Sequence, residues 1–304
     1  MNAPVLRGAY INLAASTGRR TAMQAQLRAL GMDWVQRFEA VPAQPAAHGG
    51  GQPIAATERA CFESHARLAG QMAAPGFGLV LEDDALLSDA LPAMLAQPDL
   101  LAQLAPYDIA FLECQPDTGT PSLTALWASR QRRMSPAGHG PRRLHGIDIL
   151  EARGVYRWGA VAYLLTPRGA PALQALAARA LAQGPAVPWD LALRQWIEGG
   201  KLRAAVLSPF LATARLDSLA DSTIAGRRST PAPAEQLGAA MRRLFFAGPP
   251  GELAGFAASA CRAALTDDPE LRLLAELMAQ LFVINVQGQA VTPPGLAHRR
   301  STAP

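Results

Sequence analysis

The sequence predicts an α/β fold in which helices cover both faces of a central sheet. Residues 5–13 form an apolar run that is followed by a segment with helical periodicity, and a strand leading into a helix is how such sheets begin. Residues 76–81 and 107–113 are further apolar runs, and each ends at acidic residues. Hydrophobic residues make up 50% of the 304 residues, which is enough for a full core.

The elements of the first half follow from local patterns. The first helix begins at Ser16 or Thr17, either of which can cap it, and ends at Gly31. Beyond it the predicted elements are a short strand over residues 34–41, a helix that is capped by Thr57 and runs through Leu68, and buried strands over residues 76–81 and 107–113.

The second half alternates in the same way after a long interruption. Residues 114–153 are rich in Pro, Gly, Ser and Arg and have little sustained periodicity, which predicts an irregular, basic excursion. The elements predicted after it are a strand over residues 155–166, helices over residues 169–182 and 189–198, and a strand over residues 203–211.

The pattern of the sequence changes after residue 226, from alternating strands and helices to helical segments. Residues 1–226 are predicted to form one large domain, residues 227–292 a small C-terminal helical extension, and residues 293–304 a disordered tail. In the extension, Leu244-Phe245-Phe246 would suit dimerisation, membrane docking or packing against the main domain.

Charge and cysteine content exclude several classes of protein. The formal charge is +4, and almost all of the positive charge is arginine, which suits bidentate binding of phosphate and carboxylate. This excess is too small and too dispersed for nucleic-acid binding. The three cysteines have no CxxC spacing, so neither a disulfide framework nor a zinc knuckle is expected.

The sequence contains no pattern typical of a signal peptide or of a membrane span. We therefore expect a cytoplasmic protein, and a peripheral contact with the inner membrane is a further possibility.

The acidic triplet Glu82-Asp83-Asp84 is the sharpest chemical feature. In an extended chain Glu82 and Asp84 would point the same way and Asp83 the opposite way. Adjacent buried carboxylates need a compensating charge, and Mg²⁺ or Mn²⁺, which prefer oxygen ligands, would supply it. The position also fits, because open α/β sheets bind ligands outside the carboxyl ends of their strands. The alternative is a solvated turn that caps the next helix.

A series of short segments within residues 5–225 resembles one enzyme family in composition and order. The segments are Tyr10-Ile11-Asn12-Leu13 with Arg19-Arg20, Phe38-Glu39-Ala40-Val41, Cys61-Phe62-Glu63-Ser64-His65, Leu81-Glu82-Asp83-Asp84, Ala162-Tyr163-Leu164-Leu165-Thr166-Pro167-Arg168-Gly169-Ala170, Trp189-Asp190 and Asp221-Ser222-Thr223-Ile224. Together they resemble glycosyltransferase family 25, which contains bacterial lipooligosaccharide galactosyltransferases and the collagen galactosyltransferases.

The resemblance implies a GT-A type fold, a UDP-sugar donor such as UDP-galactose, and Mn²⁺ or Mg²⁺ as cofactor. Asp84 and Glu82 would hold the metal, and Glu82 or Asp83 would lie near the donor ribose. The rest of the implied donor site is Asn12, Leu13 and Arg20 in the nucleotide pocket, with Ser64 and His65 as contacts to the donor or the metal. A guanidinium at a helix N-terminus suits a diphosphate, whereas a histidine within a helix also suits a structural role.

Asp190 is the candidate catalytic residue. As the general base of an inverting transfer, it would take the proton of the acceptor hydroxyl while the bond between the sugar C1 and phosphate breaks. Its alternative role is that of a helix N-cap, and Trp189 would either stack on a sugar or pack in the core. The implied reaction moves a hexose, galactose first, from a UDP-sugar to a saccharide acceptor in the assembly of cell-surface glycolipid or lipopolysaccharide.

Two other functions stay open at this point. A catalytically degenerate member that acts as a binding or scaffold protein is favoured by Ala14-Ala15, where the family usually has a charged pair. A metal-dependent phosphoesterase would need further ligands, and only Glu113 offers itself. The arginines from Arg130 to Arg143 are either solvated loop charge or a site for an anionic acceptor or membrane.

Overall fold

The computed structural model describes residues 5–44, 54–117, 119–134, 143–215 and 241–248, together with residues 267 and 269. Its strands are β1 (Leu6–Asn12), β2 (Val35–Glu39), β3 (Phe77–Glu82), β4 (Ala85–Leu87), β5 (Ile109–Phe111), β6 (Gln115–Pro116), β7 (Asp148–Glu151), β8 (Tyr156–Trp158), β9 (Ala162–Leu165), β10 (Ala204–Ser208) and β11 (Ala212–Ala214). Its helices are α1 (Thr17–Ala29), α2 (Ala56–Met72), α3 (Leu91–Leu95), α4 (Pro98–Leu104), α5 (Thr120–Arg133), α6 (Gly169–Gln183) and α7 (Trp189–Glu198).

Seven strands form one sheet in the order β2-β1-β3-β9-β5-β10-β7. β1 pairs in parallel with β2 and β3, and β10 pairs in parallel with β5. β9 runs antiparallel between β3 and β5, and β7 runs antiparallel to β10 at one edge. The sheet is therefore mixed but mostly parallel, and the carboxyl ends of β1, β3, β5 and β10 lie along the same side.

Helices cover both faces of the sheet, because successive strand residues point into two different hydrophobic cores. Val80 of β3 packs in the core that contains α2, α5, α6 and α7, whereas Leu79 and Leu81 pack in the core that contains α1, α3 and α4. The predicted α/β fold with helices on both faces is confirmed. Within the described ranges, no helix has the length and apolar character needed to cross a membrane.

The start of α2 and two further segments differ from the prediction. Thr57, predicted as the cap of α2, lies within its first turn, and the N-cap is Ala55. Residues 155–166, predicted as one strand, form β8 and β9, because Gly159 at φ +107 turns the chain through a backbone region that glycine adopts most readily. Residues 114–153, predicted as irregular, contain the 14-residue helix α5. Only Leu126 among the large apolar residues of α5 is buried, and Arg130 is buried on the same helix. Its periodicity in sequence is correspondingly weak.

The C-terminal segment, defined here as residues 241–248, packs against the main domain. The rings of Phe210 and Phe245 lie 5.8 Å apart. The Phe210 N–H donates to the Phe245 carbonyl, and the Ala247 N–H donates to the Phe210 carbonyl, both at 2.8 Å. Leu244, Phe245 and Phe246 are buried by this packing. Apart from residues 267 and 269, the rest of the predicted extension, the boundary at residue 226 and the predicted tail over residues 293–304 lie outside the described residues.

Candidate active site

A cleft of about 500 Å³ opens at the carboxyl ends of β1 and β3. Its walls come from these strand ends, from α2, from the turn between β8 and β9, from the start of α7, and from residues 213–215 and 242. This is the side of an open α/β sheet on which ligands bind. The predicted site residues that line it are Leu13, Ser64, His65, Glu82, Asp83, Asp84 and Asp190.

Asp83 is held by residues that follow β1 in the chain or belong to it. Asn12 Nδ2 donates a 2.7 Å hydrogen bond to Asp83 Oδ2, and Arg19 Nη1 lies 3.3 Å from Asp83 Oδ1. Arg37 Nε in turn donates to Asn12 Oδ1 at 2.9 Å. Burial raises the pKa of Asp83, while the hydrogen bond from Asn12 and the charge of Arg19 oppose that rise. Asn12, which is buried and is not among the described residues of the wall, thus orients Asp83 within it.

Glu82, Asp83 and Asp84 all line the cleft, so the prediction that Asp83 points away from Glu82 and Asp84 is wrong. β3 ends at Glu82 and the chain turns through residues 83 and 84 into β4, so the alternation of a strand does not reach Asp83. The backbone fixes this turn at both ends. The Glu82 N–H donates to the Val161 carbonyl at 2.8 Å, and the Arg215 N–H donates to the Asp84 carbonyl at 2.9 Å.

Ser64 and His65 project from α2 toward the cleft, and both have structural contacts. Ser64 Oγ accepts a 2.9 Å hydrogen bond from the Val41 N–H and donates a 2.7 Å bond to the Ala60 carbonyl. His65 Nδ1 lies 2.9 Å from the Tyr163 hydroxyl, and His65 Nε2 lies 3.3 Å from Glu82 Oε1. The side chain of Ser64 therefore ties residue 41 to α2, and that of His65 connects α2 to the acidic triplet.

Asp190 lies in the first turn of α7 and not at its N-cap, which is Pro188. The Leu191 N–H donates to Asp190 Oδ1 at 2.9 Å. Burial raises the pKa of Asp190, the charge of Glu82 raises it further, and backbone hydrogen bonds from Leu191 and Gly159 oppose the rise. A carboxylate whose pKa is raised by burial in a cleft is typical of a general base or acid.

Trp189 precedes Asp190 and is almost fully buried, with 2% of its surface exposed. Its ring stacks on His65 with centroids 5.2 Å apart and meets Phe62 edge-on at 5.0 Å. Of its two predicted roles, this packing favours the core, although the residue also lines the cleft. Trp189 thereby fixes both the start of α7 and the plane of the His65 imidazole.

Arginines line the cleft, but Arg20, the arginine predicted from the sequence to lie in the nucleotide pocket, is not one of them. Among the described residues of its wall are Arg19, Arg215 and Arg242, whereas Arg20 is not. Arg242 comes from the C-terminal segment, and its Nε and Nη2 atoms donate to the two carboxylate oxygens of Glu113, each at 2.5 Å. No pattern in the sequence indicated that Arg242 reaches the cleft, because its partner Glu113 is 129 residues away.

The arginines of α5 make contacts within the domain. Arg132 Nη2 and Arg133 Nη2 lie 2.9 Å and 2.6 Å from the carboxylate of Asp148, and Arg130 Nε donates to the Leu244 carbonyl at 2.6 Å. These three side chains join α5 to β7 and to the C-terminal segment. Arg142, which belongs to the same predicted cluster, lies outside the described residues.

The fold and the cleft together define a class of protein. A mostly parallel seven-stranded sheet between two helical layers, with carboxylates and arginines at the carboxyl ends of its strands, is consistent with a Rossmann-like fold of the GT-A type. Residues 9–190, which are 182 of the 304 residues, match the family model for glycosyltransferase family 25 (LPS biosynthesis protein). The chain therefore belongs to glycosyltransferase family 25. A search of curated proteins finds no match.

The family match contains every predicted site residue from Asn12 to Asp190. It ends at Asp190, so Arg215 and Arg242 of the cleft lie beyond it. The Asp221-Ser222-Thr223-Ile224 segment, which also resembles the family, lies outside both the match and the described residues. Membership makes the chain a glycosyltransferase, whose substrates are a sugar donor and a saccharide acceptor.

Proposed function

We propose that this protein is a metal-dependent, inverting hexosyltransferase that uses a UDP-sugar, with galactose as the first candidate, to extend a cell-surface glycolipid or lipopolysaccharide. The observation that carries the proposal is the gathering of Glu82, Asp83, Asp84 and Asp190 around one cleft at the carboxyl ends of the strands. A cleft of about 500 Å³ is of the size that holds small-molecule ligands.

A divalent cation fits the donor set of this cleft. Glu82 and Asp84 line it with oxygen ligands, which Mg²⁺ and Mn²⁺ prefer. The charge of Glu82 raises the pKa of Asp190, so the carboxylates repel one another and a cation among them would lower that cost. Glu82 and Asp84 would hold the ion, which when bound would neutralise charge on the departing diphosphate.

The nucleotide would lie along the loop that follows β1. Leu13 and Ser16 line the cleft there, and Arg19, with a quarter of its side chain exposed, faces it from the first turn of α1. A guanidinium at a helix N-terminus suits a diphosphate through both its charge and the helix dipole. Arg19 takes this role instead of Arg20, because Arg19 lines the cleft.

Asp190 is the proposed general base. Its carboxylate lines the cleft with the acidic triplet, and its backbone is anchored because the Tyr156 hydroxyl donates to the Asp190 carbonyl at 3.2 Å. In its ionised form Asp190 would accept the proton of the acceptor hydroxyl as that oxygen bonds to the sugar C1 and the bond from C1 to the diphosphate oxygen breaks. Attack from the face opposite the leaving group would invert the anomeric configuration.

The two competing functions lose support in the structure. The extra ligand that a phosphoesterase would need was Glu113, but this residue has no exposed surface and is bound to Arg242. The degenerate member was favoured by Ala14 and Ala15, but both are exposed, and neither belongs to the described wall of the cleft.

Phosphorus NMR of UDP-galactose turnover with a lipooligosaccharide core acceptor, with proton NMR of the anomeric proton of the product, tests the proposal. Glycosyl transfer breaks the bond between the sugar C1 and oxygen and releases UDP, whereas a phosphoesterase would cleave within the diphosphate and release UMP with hexose 1-phosphate. We expect UDP, formed only with a divalent cation, and a product of inverted anomeric configuration. Release of UMP would contradict the proposal, as would a retained configuration.

A further inference from the structure

Three potential metal ligands of three different chemical types, a thiol, an imidazole and a carboxylate, meet at the acidic triplet. One ligand atom each from Cys61, His65 and Glu82 lies within 4.8 Å of the others. Cys61 and His65 are one helical turn apart on α2 and therefore share a face, and Glu82 ends β3. All three line the cleft, so a ligand position on its open side would remain free.

His65 is the best-fixed member of this cluster. Its side chain is buried, with 1% exposed, and its ring is stacked against Trp189 with an angle of 9° between the planes. His65 Nδ1 bonds to the Tyr163 hydroxyl at 2.9 Å. Binding one imidazole nitrogen to a fixed hydroxyl orients the other nitrogen, as in histidines that ligate metals.

The Nε2 atom of His65 is unusual because it is a buried polar atom that lacks an aligned hydrogen bond among the described residues. It is buried and 3.3 Å from Glu82 Oε1, yet it makes no aligned hydrogen bond within the described part of the chain. If Nδ1 donates its proton to Tyr163, the lone pair of Nε2 faces a carboxylate oxygen, and two acceptors at that distance repel each other. Either a proton or a cation between them would remove the repulsion.

We propose that Cys61, His65 and Glu82 form a site for a thiophilic divalent metal of the Zn²⁺ class. Thiolate, imidazole and carboxylate are ligands of zinc, and three protein ligands with an open fourth position are typical of zinc sites that reach a substrate cleft. On binding, the metal replaces the thiol proton of Cys61, and that proton leaves to solvent. The sulfur and nitrogen ligands distinguish this site from the oxygen set of Glu82 and Asp84.

Cobalt is the probe for the first test, because Co²⁺ bound to a thiolate gives a sulfur-to-metal charge-transfer absorption. We expect the full-length protein to show this absorption with Co²⁺ and to lose it when Zn²⁺ is added, since Zn²⁺ binds such ligands more tightly. Cys61→Ser should lose the absorption, and Cys261→Ser should keep it. Retention of the absorption in Cys61→Ser, or its absence from the wild type, would overturn the proposal.

X-ray absorption at the zinc edge of the wild-type protein needs no variant, so it covers the case in which Cys61→Ser fails to fold. We expect one sulfur ligand among nitrogen and oxygen ligands, and a shell without sulfur would overturn the site. Asp84→Asn separates this proposal from the donor-site proposal, because it should weaken metal-dependent UDP binding by at least about tenfold and leave the cobalt absorption intact. Loss of the cobalt absorption in Asp84→Asn would overturn the proposal of a separate site, because Asp84 would then be needed for both ions.

Discussion

Asp190 combines a buried carboxylate with access to the cleft, and its raised pKa leads to a prediction about pH. A general base must be ionised, so the acid limb of kcat/KM should lie above the usual aspartate value of about 3.9. Asp190→Asn should lower kcat by about 10²- to 10⁴-fold. The pH profile of UDP-galactose transfer measures both, and a limb at or below the ordinary aspartate range would contradict the assignment.

The same raised pKa predicts how stability changes with pH. The folded state holds the Asp190 proton more tightly than the unfolded state, so stability falls as pH rises from the unfolded pKa through the folded one. Asp190→Asn removes this titration. The free energy of unfolding of the variant, minus that of the wild type, should therefore be larger at about pH 7 than at about pH 4. Urea unfolding at the two pH values measures the difference, and an unchanged difference would show that burial does not perturb Asp190.

Replacing Asn12 should cost stability locally, because its side chain bonds to both Asp83 and Arg37 while only 1% exposed. Asn12→Ala leaves Asp83 and Arg37 without the bonds that Asn12 makes to them, which should cost about 1–3 kcal/mol. Gln36→Ala, an exposed change on β2, is the control and should stay within about 0.5 kcal/mol. Equal free energies of unfolding for the two variants would contradict the role given to Asn12.

At the scale of elements, the C-terminal segment is the least expected part of the site. It contributes Arg242, whose side chain is 7% exposed and is paired with the fully buried Glu113. Removing one partner of a buried ion pair strands a charge, so Arg242→Met should destabilise the protein by about 3–5 kcal/mol. Adding Glu113→Gln should recover part of that loss. Urea unfolding of both singles and the double tests this, and strictly additive effects would show that the pair does not couple.

Elements that form from local patterns were predictable, and those that depend on distant partners were not. The pattern of residues 76–81 predicted β3 because a buried strand is a short apolar run. Helix α5 was missed because its buried positions include Arg130, which a carbonyl of the C-terminal segment satisfies. The break at Gly159 was missed because a lone glycine within an apolar run does not reveal its φ angle.

In the candidate site too, residues in contiguous motifs were predictable and contacts between distant segments were not. The segments that carry Leu13, Ser64, His65, the acidic triplet and Asp190 are short and contiguous, so their resemblance to a family was visible in sequence. The choice between Arg19 and Arg20 was not, because it depends on how α1 docks on the sheet. The convergence of Cys61, His65 and Glu82 depends on the packing of α2 against β3, which no spacing in the sequence encodes.

At the scale of the whole molecule, one cleft joins residues from the first strand, the acidic turn, the start of α7 and the C-terminal segment. Membership of family 25 identifies the chain as a glycosyltransferase. The central claim is that the cleft binds the nucleotide-sugar donor of this enzyme. Donor binding can be measured without knowing the acceptor, so it tests the claim independently of the choice of glycolipid.

Calorimetric titration of UDP into the full-length protein, with Mn²⁺ and then with EDTA, is the most direct measurement. We predict binding that requires Mn²⁺, that weakens by at least about tenfold, or ~1.4 kcal/mol, in Asp84→Asn, and that persists in Asp89→Asn, where the exposed acid lies outside the described wall of the cleft. UDP binding that is unchanged by EDTA and by Asp84→Asn, or no binding at all, would contradict the account.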